Sequence, residues 1–166
     1  MKRVFSIFLL FISFEACNAD FKEEALIEAQ KYKALITRDV WGVPHIQGKR
    51  DEDVAFGLAY SHAEDDMENL MGNMSLYRAQ MGLKEGFDGA VTDYLIKVLG
   101  IRERAISRYE SDLSLEVRKV IEAYNAGLNY WAALHPDSEY IKNFPITKED
   151  IVVGFSIQNL FFSGVM

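Results

Sequence analysis

From Val54 to Met81 the chain contains no proline, and its apolar residues recur with the period of a helix. Val54, Leu58, Ala63, Met67, Leu70, Met71, Met74, Tyr77 and Met81 fall mostly three or four apart, which predicts one long helix with a buried stripe. Gly57 and Gly72 each weaken such a helix by roughly 1 kcal/mol relative to alanine. Close packing against another element would account for them, and Gly72 is also a candidate break. A helix of this length needs partners. The sequence offers several: Thr92 to Leu99, closed by Gly100; Ile101 to Tyr109, with Arg102, Arg104 and Arg108; and a run capped by Ser114 that stops at His135-Pro136. Gly82 to Gly89, with three glycines and Asp88, reads as a loop, as does His135 to Phe144. A last helix starts at Thr147, with Asp150 at its third position, and is apolar almost throughout to Met166.

Ahead of the long helix lies the one β-type signal. Ala34 to Thr37 and Val43 to Gln47 flank Gly42, which accepts backbone angles other residues resist, and Pro44, which pushes Val43 towards an extended conformation. Strand, tight turn, strand is the expectation. Asp20 with Glu23 marks the start of a short helix before it, and Asp51 is the expected cap after it.

The first residues have another purpose. Lys2 and Arg3 precede an apolar run from Val4 to Phe14, too short to span a bilayer and the right length for the core of a secretory signal, so residues 1–19 are expected to be removed after Ala19. That places the mature chain, residues 20–166, in the periplasm or outside the cell. Cys17 offers the alternative of a lipid anchor, and membrane association is expected only in that case. The signal carries Lys2, Arg3 and Glu15, a net +1, so cleavage moves the chain from −7 to −8. Such acidity disfavours nucleic acid and anionic lipid as partners. With 49% hydrophobic and 26% charged residues among 166, the composition is that of an ordinary globular domain.

Three blocks in order carry a resemblance. Arg38-Asp39-x-x-Gly42-Val43-Pro44-His45-Ile46 comes first. Gly57 to Asp66 follows, with Arg78-Ala79-Gln80-Met81-Gly82 behind it, and then Glu122-Ala123-Tyr124-Asn125-Ala126-Gly127-Leu128-Asn129. Together they resemble the penicillin acylase family of N-terminal-nucleophile amide hydrolases, and the second block is spelled most like the acyl-homoserine-lactone acylases. The resemblance implies an α+β, four-layer αββα fold, in which this chain is mostly helical with short strands and is completed by a second chain. It also implies a function: the α-subunit part of an acylase that hydrolyses an N-acyl amide, such as an acyl-homoserine lactone or a penicillin, to a carboxylic acid and an amine.

In that family a serine, cysteine or threonine at a chain N-terminus, freed by self-cleavage, attacks the amide with its own α-amino group as base. The sequence reaches Met166 before any such point, so the nucleophile is expected on a β-chain from the same precursor, and no catalytic residue is assigned here. The resemblance places substrate contact at Leu160, Phe161 and Phe162, against the plainer reading of core at an interface. It allows calcium in the complete enzyme but carries no metal ligand onto this sequence. His62 and Asp66, four apart, have a metal-ligand spacing; a solvated acidic face is the commoner meaning. His45 reads as a structural residue, since no partner carboxylate is identifiable, and Arg38 as a salt bridge to another element. The rival function is a non-catalytic helical envelope protein, or an orphan truncated acylase fragment, that only binds a partner.

Overall fold

The computed structural model describes residues 20–164. The signal, its cleavage point and Cys17 lie outside them. The element order is a helix over residues 20–29 (α1), strands Leu35–Arg38 (β1) and Pro44–Gln47 (β2), then helices Asp51–Tyr77 (α2), Gly82–Glu85 (α3), Phe87–Leu99 (α4), Ile101–Asp112 (α5) and Leu115–Leu134 (α6). A short 3-10 turn at Ile141–Asn143 leads to the final helix, Lys148–Phe162 (α7).

The hairpin forms where the turn residues place it. β1 and β2 pair antiparallel with Leu35 opposite Gln47 and Arg38 opposite Pro44, and Gly42 takes φ +83° in the turn. The sheet rests on α2 through Gly57, where a β-carbon would come within 2.8 Å of both the Ala34 and Ile46 side chains. Close approach thus explains this glycine. Gly72, by contrast, has open space around it, and the break in α2 falls at Asp66, whose backbone leaves the helical region at φ −148°, ψ 44°.

α2 crosses α6 at Gly127, where a β-carbon would collide with the Phe56 carbonyl oxygen and lie 2.8 Å from Ala59 Cβ. Around the crossing the core is built from Met71, Leu128, Val153, Ile157 and their neighbours, so α2, α6 and α7 enclose it together. Burying each of these side chains stabilises the fold by about 1.5–3 kcal/mol.

Helix ends show what was local. Ser114 Oγ accepts from Val117 N at 3.3 Å, and Thr147 Oγ1 accepts from Asp150 N at 3.3 Å, as their residue types predict. The start of α2 differs: Arg50 is the cap residue, and the carboxylate of Asp53, not Asp51, accepts from the Arg50 N–H at 3.2 Å and the Lys33 N–H at 3.0 Å. α2 also stops four residues before Met81. Ala79 adopts φ +52°, and Gln80 N donates to the Ser75 carbonyl at 2.8 Å, a helix-closing bond that usually has glycine at the left-handed position. The stretch 82–89 is not a loop. Asp93 accepts from the N–H groups of Met81 (2.8 Å) and Gly82 (2.9 Å), which folds α3 back onto α4 and lets α4 begin at Phe87.

Candidate functional site

One apolar cleft of about 370 Å³ opens between α2, α6 and α7. Leu58, Leu70, Met74 and Tyr77 line it from α2, Val120 and Leu128 from α6, and Ile151 and Phe155 from α7. The helical period places these residues on the facing stripes, and α7 leaves Phe155 61% exposed at the rim. This size and lining fit a small-molecule site for an apolar group. Polar groups interrupt the wall at His62, Asn73, Tyr124 and Gln158, besides the Tyr77 hydroxyl. His62 Nδ1 lies 2.7 Å from the Tyr124 hydroxyl oxygen. Burial, with a smaller push from Tyr77, raises the Tyr124 phenol to about 12, so it stays neutral.

α7 is held at its start by a buried ion cluster. The Asp150 carboxylate is fully buried and accepts from Arg78 Nε (3.1 Å) and Nη2 (2.7 Å) and from Arg102 Nη1 (2.6 Å). Burial alone would raise its pKa; the hydrogen bonds from Arg78, the Thr147 N–H and Arg102 together hold it below the usual aspartate range. Arg78 also donates to the carbonyls of Asn143 (2.6 Å) and Pro145 (2.9 Å), so one guanidinium joins the end of α2, the loop before α7 and α7 itself. Asn129 makes a second joint, exchanging two 2.9 Å hydrogen bonds with the backbone of Ile146.

The candidate residues from the sequence fall in different places. Leu160 is half-buried against the core, beside a groove it shares with Ile101, Ala105 and Tyr109 of α5. Phe161 is 54% and Phe162 89% exposed at the end of α7, and none of the three lines the α2–α6–α7 cleft. Phe155, Gln158 and Phe162 are three and four residues apart and so share one side of α7. Arg38 makes the expected bridge, donating to Glu64 Oε2 (2.9 Å) and Asp65 Oδ2 (3.0 Å) on α2. His45 does have a carboxylate: Asp39 Oδ2 is 3.4 Å from its Nε2, while Asp39 Oδ1 accepts from the Trp41 and Val43 N–H groups at 2.8 and 3.0 Å. Those bonds, the one from Val43 foremost, lower the Asp39 pKa. The turn brings Asp39 back over β2, which sequence order alone does not show. His62 turns to Tyr124, and no group of three or more His, Cys, Asp or Glu side chains positioned to hold a metal occurs among the described residues.

Helices around an apolar cleft, with a short hairpin laid across the longest of them, make a fold that a solved acylase shares. The fold superposes on a thermostable penicillin G acylase from Alcaligenes faecalis with a TM-score of 0.66, covering 80% of this chain and 75% of that one at 20% identity. The penicillin amidase family model matches residues 33–159, and the chain belongs to that family. Among relatives, it is 33% identical over 100 residues to the penicillin acylase 2 proenzyme of Pseudomonas sp. (strain SE83), a match covering 59% of this chain and 12% of that protein. It is 28% identical over 108 residues to the acyl-homoserine lactone acylase PvdQ of Pseudomonas fluorescens (strain Pf0-1), covering 60% and 14%. The matched stretch therefore spans about an eighth of these relatives' length.

Proposed function

We propose that this chain is the α-subunit part of an exported acylase that hydrolyses an N-acyl amide, an acyl-homoserine lactone or a penicillin-like substrate, to a carboxylic acid and an amine. The observation that carries the reading is the apolar cleft between α2, α6 and α7 in a chain of the penicillin amidase family. In this reading the chain supplies binding. Its cleft takes the acyl group out of water, each buried methylene contributing about 0.8 kcal/mol, while a β-chain from the same precursor brings the N-terminal nucleophile and its α-amino base. Leu160, Phe161 and Phe162 extend the acyl wall where the two chains meet. Binding energy gained along an acyl chain serves catalysis when it positions the amide carbon against the nucleophile.

The full-length gene product, incubated with N-acyl-homoserine lactones and with penicillins, is expected to release the free amine, read with an amine-reactive fluorophore. No amine from any acyl amide of either set would overturn the reading and favour the rival, a helical protein that only binds a partner. The exposed apolar residues of α4 give that rival its footing, since they need a cover whether or not chemistry follows.

A further inference from the structure

Between α5 and α7 runs a second groove, of about 410 Å³, to which the acylase reading gives no role. Ile101, Ala105 and Tyr109 line it from α5, and Val152 and Leu160 face them from α7. The three residues of α5 are four apart and buried, so they make an apolar floor. A neighbouring stripe of the same helix, Arg104, Arg108 and Asp112, keeps the same spacing and forms the rim. Among the described residues no other charged side chain lines the groove.

That rim carries an excess of positive charge. Arg108 Nη1 lies 3.5 Å from Asp112 Oδ2, and the two side chains are 68% and 52% exposed, a contact too long and too wet to hold either group firmly. The Arg104 guanidinium has no hydrogen-bond or ion-pair partner among the described residues. Two like charges one helical turn apart repel each other, which an anion between them would relieve. Residues at this spacing have Cβ atoms about 5–6 Å apart, and each guanidinium sits on a flexible stem. Both can therefore close on one carboxylate while their methylenes lie along an alkyl chain on the floor. The groove is the size of a small-molecule site and too narrow for a phospholipid with two chains.

We propose that the groove between α5 and α7 binds a single-chain alkyl carboxylate, its head held by Arg104 and Arg108 and its chain laid against Ile101, Ala105, Val152 and Leu160. The site is separate from the α2–α6–α7 cleft, whose lining holds no Asp, Glu, Lys or Arg. The acid that an acylase releases belongs to this class of ligand, but the site stands whether or not the protein is an acylase.

The test is photo-cross-linking of the full-length protein, at pH about 8 where histidine is neutral, with a decanoate that carries a diazirine on its chain, followed by mass-spectrometric mapping. α5 is the reporter, because its residues line the groove and none of them lines the cleft. Label is expected on α5, and octanoate should compete it away at about a tenfold lower concentration than 1-octanol, the margin that two partly exposed charge contacts supply. In the double variant Arg104→Gln with Arg108→Gln that margin should vanish and the α5 label fall, with the circular dichroism unchanged because both side chains are exposed. Arg104→Lys with Arg108→Lys should keep part of the margin. Label confined to the cleft, equal competition by acid and alcohol, or a margin that survives the glutamine pair overturns the proposal. So does competition by phosphatidylglycerol vesicles at the same lipid concentration as octanoate, which would make a lipid headgroup the occupant.

Discussion

Asp150 occupies a position where removing a side chain does more harm than its size implies. Its carboxylate pairs with both Arg78 and Arg102, and Arg78 has a side chain only 18% exposed, so Asp150→Ala would leave a desolvated positive charge unpaired. Breaking a buried pair in this way costs about 3–5 kcal/mol, to be read from urea unfolding of the variant beside the parent. The same group sets a pH response. Its folded pKa lies below its unfolded value, so its contribution is complete above the unfolded aspartate range near ~4 and fades as pH falls through the folded value. Unfolding midpoints should drop as the pH is lowered below ~4, and in Asp150→Asn this part of the drop should vanish. The sequence marked Asp150 only as a helix cap, because capping partners are three residues away. Arg78 and Arg102 are 72 and 48 positions away, and nothing in a single sequence pairs residues at that distance.

Elements differ in how far their own residues foretell them. Ser114 and Thr147 announce α6 and α7 because the hydroxyl and the backbone N–H it accepts from belong to the same turn. The hairpin was legible for the same reason. The stretch 82–89 was not: three glycines read as looseness, whereas Asp93, from the helix that follows, gathers the N–H groups of Met81 and Gly82 and closes the corner. Gly72 and Gly127, both inside helices, differ in what a side chain would meet, and substitution distinguishes them. Gly72→Ala meets nothing within 4 Å inside a helix and should stabilise the protein by roughly 0.4–1 kcal/mol. Gly127→Ala drives a β-carbon into the Phe56 backbone at the crossing of α2 and α6 and should destabilise it by about 1–3 kcal/mol. Thermal unfolding of the two variants should move the midpoint in opposite directions.

Across the whole molecule, the family blocks are joints between elements that lie far apart in sequence. Arg38 ties the hairpin to α2, Tyr124 and Gly127 tie α6 to α2, Arg78 ties α2 to α7, and Asn129 ties α6 to the loop ahead of α7. The blocks therefore revealed the fold without revealing which residue meets which. The cleft escaped notice for a related reason: its walls come from three helices, and its polar pair is 62 residues apart. Among the described residues, one side of the molecule has no cover. Phe87, Tyr94 and Val98 fall at helical spacing on α4 and are 82%, 67% and 63% exposed, and Leu83 of α3 is 85% exposed. A patch of that kind marks an interaction surface. The chain produced alone should enhance the fluorescence of an anilinonaphthalene dye, and Phe87→Gln with Val98→Gln should cut that enhancement substantially while the circular dichroism stays unchanged.

The clamp on Asp150 grips α7 at one end and leaves Phe161 and Phe162 jutting from the other, like a beam built into masonry at its root. Changes at such a tip scarcely load the frame, since exposed side chains shift stability by no more than about 0.5 kcal/mol. On the reading proposed above, substitutions at Phe161 and Phe162 would change the reach of the acyl wall and leave the helices behind it in place.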